Sequence, residues 1–271
     1  MYSPDGPHFW QIDPAAEKMP FISPYAFGLS NPVSFMDPDG REPYKPTPKE
    51  AAAMAAHVYG DKKDNILTGG WRVSQRDFSD KVNLNDQGSG FKSQVYERVV
   101  NGKVTEYSYV TAGTEDFKDG IADVKQPLGV SKQYSQSAEN AAALSKQLGG
   151  AELTFIGHSL GGGEAALNSL MTGRNGMTFN AAGVGDMTKF IKGGIHMMLK
   201  SESKIDAYIM KTDPLNKTQN GTTSLGQLLP DVNGNRHYIN QTKTPVTALG
   251  GHSIDTVLCE YGIKPENYKN K

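Results

Sequence analysis

Residues Glu152–Leu167 read ELTFIGHSLGGGEAAL: an apolar run, a serine between glycines, and then a helix-prone segment. The apolar run predicts a short buried strand, and the segment from Gly162 onward predicts a helix. Gly157–Gly161 fits the pattern G-x-S-x-G, in which glycines prevent collisions around a serine on a tight strand-to-helix turn. The N–H groups at the start of the helix would then face a developing oxyanion. Ser159 is therefore predicted to be a nucleophile, and the alternative is an ordinary glycine-rich turn.

A serine nucleophile needs a base and a carboxylate that orients the base. In proteins with this elbow the chain order is serine, then an acid, then histidine. Asp213 follows the apolar stretch IDAYIMKT and precedes Pro214, which places it at the carboxyl end of a predicted strand. Open α/β sheets bind their ligands at that edge. Asp213 is the favoured acid, with a plain turn aspartate as the alternative, and Asp186 fits a helix cap better.

Three histidines follow the serine: His196, His237 and His252. His252 lies in LGGHSID, a glycine-rich loop that leads into a predicted helix, whereas His237 lies in the alternating strand pattern NRHYIN. Loops carry catalytic side chains more often than strand faces do. His252 is therefore favoured over His237 as the base. His158, inside the elbow, is expected either to pack or to support the residues of the site, and not to act as a base.

The rest of the chain alternates predicted helices and strands. TPKEAAAMAAHVYG predicts a helix with a capping box between Thr47 and Glu50 and a stop at Gly60. SQVYERV and VTEYSYVT predict a β-hairpin across Asn101–Gly102. Together with the strand–helix pairs downstream, this alternation predicts an α/β domain, a mostly parallel sheet with helices on both faces.

Composition excludes several classes of function. The 271 residues are 37% hydrophobic and 21% charged, which is typical of a globular protein, and the net charge of −1 gives no electrostatic reason to expect nucleic acid. No apolar stretch reaches the length of a transmembrane helix, and the first residues lack the features of a signal peptide. No histidine and cysteine spacing fits zinc and no segment fits an EF-hand, so no metal or cofactor is predicted.

The first forty residues differ in composition from the rest of the chain and are rich in proline, glycine, aspartate and aromatic residues. IDP at Ile12–Pro14 and SPYAFGLSNPVSFMDPDG at Ser23–Gly40 resemble the C-terminal end of an Rhs repeat-associated core. The resemblance implies that residues 1–43 are an irregular core-derived tail and that residues 44–271 are the toxin domain that such a core encloses.

That family also implies a cleavage mechanism. Self-cleavage often follows its last DPxG motif, and the aspartates of two DP motifs are implicated. By position these are Asp13 and Asp37. Arg41 follows Gly40 here, where cleaved members often carry leucine.

A second resemblance covers most of residues 48–262. AAAMAAHVY, YVTAGTEDFKDGIADV, TFIGHSLGGGEAAL, TFNAAGVG and MKTDPLN resemble, in order, segments of the class 3, fungal-lipase-like α/β hydrolases. The resemblance implies an α/β-hydrolase fold and a triad of Ser159, Asp213 and His252. It also implies an oxyanion hole made by the N–H of Leu160 with the N–H and the hydroxyl of Thr114. The alternative for TAGT is a plain strand end.

Two further features bear on the second resemblance. Ala112 stands where that family usually has an arginine before its GT pair. The segment after Thr114, Glu115–Val130, offers one apolar stripe and is expected to form a mobile lid, with a fixed surface helix as the alternative.

The two resemblances together imply a serine lipase or phospholipase toxin that hydrolyses esters of membrane lipids through an acyl-serine. The implied partners are a lipid surface, a cognate immunity protein, and the upstream Rhs core shell with its secretion machinery, which would deliver the toxin into target cells. The alternatives are a triacylglycerol or small-ester hydrolase, a peptidase or acyltransferase, and a non-catalytic interaction domain that keeps the fold.

Overall fold

Parallel strands dominate the fold, and a β-hairpin extends the sheet at one end. The computed structural model describes residues 45–60, 67–113, 132–185, 202–219, 230–247 and 250–268. The described strands are β1 Trp71–Val73, β2 Asn85–Asp86, β3 Phe91–Val100, β4 Lys103–Thr111, β5 Glu152–His158, β6 Asn175–Phe179, β7 Ile205–Met210 and β8 Asn235–Ile239.

These strands form one eight-stranded sheet in the order β1-β3-β4-β5-β6-β7-β8, with β2 paired to β3. Strands β4 to β8 are parallel and lie side by side in chain order. β1, β2 and β4 each pair with β3 in antiparallel fashion. The carboxyl ends of the five parallel strands therefore meet at one edge of the sheet, which is where open α/β sheets bind ligands.

The β3–β4 hairpin is the predicted one. Its two turn residues, Asn101 and Gly102, have φ values of 51° and 75°. A two-residue turn with both φ values positive twists in the same sense as the strands it joins, and asparagine followed by glycine favours it.

Helices cover both faces of the sheet, as predicted. They are α1 Pro48–His57, α2 Lys132–Leu148, α3 Leu160–Thr172, α4 Pro214–Gln219 and α5 Ile254–Glu260. The core alternates along each strand: Ile156 packs with α1 and α5, while its neighbour Phe155 packs with α2 and α3. On β4, Val110 packs on the side of α1 and α5, and Tyr109 packs on the side of α2 and α3. The fold is therefore an α/β sandwich of the predicted class.

Helix α1 begins as predicted and ends earlier than predicted. The Glu50 N–H donates to the Thr47 hydroxyl at 3.3 Å, and the Thr47 N–H donates to the Glu50 carboxylate at 2.8 Å, which completes the capping box. The helix closes at Val58 in a right-handed cap, so the predicted stop at Gly60 is wrong. A Cβ on Gly60 would lie 2.3 Å from the carbonyl oxygen of Tyr268, so close packing explains this glycine.

Glu164, on α3, is an acid with no access to solvent. Burial raises the pKa of its carboxyl well above the ordinary value of 4.5, and the nearby Ser137 hydroxyl offsets this only in part. The folded chain therefore keeps a proton that the unfolded chain releases. Since the folded pKa is the higher one, this contribution to stability is complete below the unfolded pKa and is lost as the pH rises through the folded pKa.

We expect Glu164→Gln to weaken this pH dependence, because glutamine has nearly the same shape and no proton to lose. Between about pH 5 and pH 8 the thermal midpoint of the wild type should fall relative to that of the variant. Scanning fluorimetry across this range measures both. Glu139→Gln, at an exposed position on α2, is the control and should follow the wild type. A midpoint difference between wild type and Glu164→Gln that stays constant with pH would contradict the raised pKa.

Several sequence predictions fall outside the described residues. They are the 1–43 tail with Asp13 and Asp37, the oxyanion residue Thr114, the lid segment Glu115–Val130, and the residues Asp186 and His196. In the described ranges, no helix combines the length and the apolar character needed to cross a bilayer.

Candidate active site

Ser159 occupies a strained turn between β5 and α3. Its φ is 57° and its ψ is −125°, a backbone conformation that costs a non-glycine residue on the order of 1–3 kcal/mol. The neighbouring glycines make the turn sterically feasible. A Cβ on Gly157 would lie 2.1 Å from the carbonyl oxygen of Gly161, and one on Gly161 would lie 2.3 Å from that of Thr111.

The structure brings together the three residues that the sequence favoured. The Ser159 Oγ lies 2.8 Å from Nε2 of His252, and Nδ1 of the same ring lies 2.9 Å from Oδ1 of Asp213. Asp213 is fully buried and His252 is 2% exposed. Chain order, contact and burial therefore fit a nucleophile, a base and an orienting acid.

Asp213 lies just beyond β7, which ends three residues earlier at Met210. Its carboxylate accepts hydrogen bonds from the N–H of Leu215 at 3.0 Å and of Asn216 at 3.2 Å, at the start of α4. Asp213 therefore caps a helix and also contacts His252. The two backbone donors fix the carboxylate and leave Oδ1 directed at the His252 ring.

His252 is the last residue of a 3-10 turn, Gly250–His252, which leads into α5. Its backbone carbonyl oxygen accepts two hydrogen bonds, from Nε2 of His158 at 2.7 Å and from Nδ2 of Asn180 at 3.0 Å. Asn180 directly follows β6, and its Oδ1 accepts the N–H of Met210 at 2.8 Å. Hydrogen bonds therefore fix both the ring and the backbone carbonyl of His252.

The alternative base, His237, lies elsewhere. It is on the outermost strand, β8, where its Nε2 lies 2.9 Å from Oδ1 of Asp206 and its side chain is 47% exposed. It therefore forms a second histidine–aspartate pair that does not contact Ser159.

One predicted oxyanion donor can be located. Leu160 is the first residue of α3, so its N–H has no acceptor within the helix and is free of the helical hydrogen-bond ladder. The other, Thr114, follows Gly113, which lies two residues beyond the end of β4. Gly113 itself lies against the elbow: a Cβ on it would be 3.0 Å from that of Ser159. Ala112, at the position where the fungal-lipase resemblance leads us to expect an arginine, is buried beside it.

No metal site accompanies these residues in the described part of the chain, where no group of three or more His, Cys, Asp or Glu could hold an ion. The arrangement of Ser159, His252 and Asp213 can supply an activated hydroxyl and a proton shuttle on its own.

The family is decided by comparison with known proteins. Residues 50–262 match the family model described as Phospholipase-like, the Tle-like phospholipase domain. The chain belongs to this family.

The Tle-like domain has a curated relative and several structural neighbours. It is 34% identical over 194 residues to an extracellular phospholipase A1 of Serratia liquefaciens, a match that covers 66% of this chain and 58% of the relative. The chain thus spans less than two thirds of the length of that relative. A mutant of MDLA from Penicillium cyclopium is similar in structure, with a TM-score of 0.50 and 15% identity over 74% of this chain and 82% of that one. This likeness shows a shared fold.

Two contacts of the Tle-like domain were not predicted from the sequence. The sequence could have pointed to Asn180, since this residue directly follows a strand and so lies at the carboxyl edge of the sheet. No sequence pattern pointed to Tyr59. It lies two residues past the end of α1, and its hydroxyl accepts a hydrogen bond from the Gly113 N–H at 2.7 Å.

Gly113 offers a direct test of how closely the β4 end must approach the elbow. A Cβ there would lie 2.7 Å from the His158 carbonyl oxygen and 2.8 Å from the Tyr59 hydroxyl. Gly113→Ala should therefore push the β4 end away from Ser159 and lower kcat/KM for a short-chain ester about 100-fold, the effect of misplacing a reacting group by 1 Å.

The control is Gly150→Ala, at a glycine whose Cβ would meet nothing within 4 Å. It should retain the wild-type rate. Wild-type kinetics in Gly113→Ala would mean that the β4 end does not need to contact the elbow.

Proposed function

We propose that this chain is a serine hydrolase that cleaves carboxylic esters of membrane phospholipids through an acyl-serine intermediate. One observation carries the proposal. The hydrogen-bonded series Ser159–His252–Asp213 is built on a strained elbow inside a domain of the Tle-like phospholipase family.

Each residue has a role that follows from its contacts. Nε2 of His252 takes the proton from Ser159 as the oxygen attacks the ester carbonyl, and then gives that proton to the departing alcohol. Asp213 fixes the ring and stabilises its charged form. The N–H groups of Leu160 and Thr114 stabilise the oxyanion of the tetrahedral intermediate. A water molecule then attacks the acyl-serine, with His252 again taking the proton, and the acyl group leaves as a fatty acid.

The choice of phospholipid as substrate rests on the family and on the relative. The family model is named for phospholipases, and the curated relative is an extracellular phospholipase A1. These support a lipid ester over a peptide bond or a small soluble ester.

The biological role we propose is that of a toxin effector. The resemblance of Ser23–Gly40 to an Rhs core tail supports a division into a core-derived tail at residues 1–43 and a toxin domain at residues 44–271. Such a chain is delivered to target cells by a secretion system, with the core shell upstream and with an immunity protein in the producing cell. Asp13 and Asp37 are the residues proposed to serve cleavage of the tail.

Mass spectrometry of defined vesicles tests the activity. Vesicles of phosphatidylethanolamine and phosphatidylglycerol, a triolein emulsion and a soluble p-nitrophenyl ester are each incubated with wild type and with Ser159→Ala. We expect equal amounts of fatty acid and lysophospholipid from the vesicles with wild type alone. The position of the remaining acyl chain identifies the ester bond that was cut.

Other outcomes identify the rival functions. Fatty acid from triolein but none from vesicles indicates a triacylglycerol lipase, and turnover of the soluble ester alone indicates an esterase. Failure to react with a fluorophosphonate, together with no turnover of any ester, indicates a binding domain that keeps the hydrolase fold.

A further inference from the structure

The hydroxyl of Tyr59 joins two parts of the proposed machinery that are far apart in the chain. It accepts the N–H of Gly113 at 2.7 Å, immediately before the proposed oxyanion residue Thr114. It also lies 3.0 Å from Nδ1 of His158, on the residue before the nucleophile. A phenol can accept one hydrogen bond and donate another, so both contacts are satisfied together.

The second nitrogen of His158 continues the series. Nε2 lies 2.7 Å from the carbonyl oxygen of His252. A carbonyl oxygen can only accept, so the hydrogen is on Nε2 and Nδ1 is left to accept from Tyr59. The ring centroids of His158 and His252 are 5.1 Å apart. One series of hydrogen bonds therefore runs from the Gly113 N–H through Tyr59 and His158 to the backbone of the proposed base.

Tyr59 is itself held in place. Its N–H donates to the carbonyl of Ala56 at 3.2 Å, and its own carbonyl accepts from Nζ of Lys92 on β3 at 2.9 Å. Its ring meets that of His158 edge-on, with centroids 6.0 Å apart. The hydroxyl is thus a fixed point to which the two other groups attach.

We infer that Tyr59 and His158 are positioning residues, which set the distance between the oxyanion loop and the turn that carries the base. The inference rests on the proposed serine-hydrolase function. We assign neither side chain a contact with the ester. Their effect is on where the oxyanion donors and His252 lie when the tetrahedral intermediate forms. That geometry affects the chemical step more than substrate binding, since the oxyanion exists only beyond the ground state.

Tyr59→Phe removes the hydroxyl and keeps the ring, so it is the direct test. On a soluble short-chain ester we expect kcat to fall about 10- to 100-fold with KM within about twofold. The rate of fluorophosphonate labelling should fall to a similar extent, and the thermal midpoint should stay within a few degrees of the wild type. Tyr268→Phe is the matched control. It removes a hydroxyl from a tyrosine that packs on the α1 side of the sheet, against His57, and should leave kcat unchanged.

Two variants of His158 separate its two bonds. His158→Gln keeps a donor near the Nε2 position and loses the acceptor for Tyr59. His158→Asn keeps an acceptor near the Nδ1 position and loses the donor to His252. Both should lower kcat, and combining Tyr59→Phe with His158→Gln should cost less than the product of the two effects, because both break the same bond.

The outcomes are separable. A Tyr59→Phe enzyme with kcat within twofold of wild type, or with a raised KM and an unchanged kcat, overturns the inference. If Tyr59→Phe does not fold, the two His158 variants decide, and wild-type kcat in both overturns it as well. Ser159→Ala with wild-type activity would instead reject the proposed function itself.

Discussion

Replacing Ser159 with alanine should lower kcat by roughly a million-fold on any ester the protein hydrolyses. His252→Ala should lower it almost as much, and the double variant should be no worse than either, because nucleophile and base act as one unit. The residual rate comes from binding and from the oxyanion donors, which neither variant removes. Steady-state kinetics on a chromogenic short-chain ester measure all three variants.

The chain supplies its own control for the base. His237 also pairs with an aspartate at 2.9 Å, but on the exposed outer strand. His237→Ala should keep full activity, and a fluorophosphonate should label Ser159 in it as fast as in wild type. An active His252→Ala beside an inactive His237→Ala would show that the base had been assigned to the wrong residue.

Asp213→Asn should lower kcat about 10,000-fold while the fold is retained. The carboxylate accepts from three N–H groups, on Leu215, Asn216 and the His252 ring. An amide has only one oxygen for these donors, whereas Leu215 and the ring share Oδ1 and Asn216 uses Oδ2. If the amide oxygen stays with Asn216, the NH2 group faces Nδ1 of His252 and forces the ring hydrogen onto Nε2, so the ring cannot take the proton of Ser159. In the opposite orientation the ring keeps its tautomer but loses the negative charge that stabilises its protonated form.

The matching control is Asp206→Asn, which makes the same change in the exposed pair with His237. Its rate should equal that of wild type. A higher pH restores neither a wrong tautomer nor the missing charge, so the loss in Asp213→Asn should persist across the pH profile. Recovery of activity at alkaline pH would contradict this role of the carboxylate.

Much of the fold follows from local sequence. The Asn101–Gly102 turn and the capping box of α1 each depend on a few adjacent residues, and both were correctly predicted. The stop at Gly60 was wrong for a physical reason. This glycine is required by a backbone carbonyl more than 200 residues away, on Tyr268, and helix-ending rules consider only neighbours in sequence.

The site likewise has features that adjacent residues predict and contacts between distant residues that they do not. The glycines around Ser159 predict its role, because the elbow is formed by residues that are adjacent in sequence. The contacts of Tyr59 with Gly113 and of Asn180 with His252 join residues 54 and 72 positions apart. Nothing in a single sequence marks such a pair until the sheet order is known. The order of β4 to β8 is what brings these loops to one edge.

The strained backbone of Ser159 also bears on how such a domain evolves. Glycine adopts a φ of 57° without the cost that serine bears, so Ser159→Gly would make the domain more stable and catalytically inert. Selection for stability alone therefore favours loss of this serine, and only selection for the chemistry opposes it. In a descendant that served purely for binding, this position would be among the first to change. Under the proposed function, the retention of Ser159 at the elbow reflects selection for turnover.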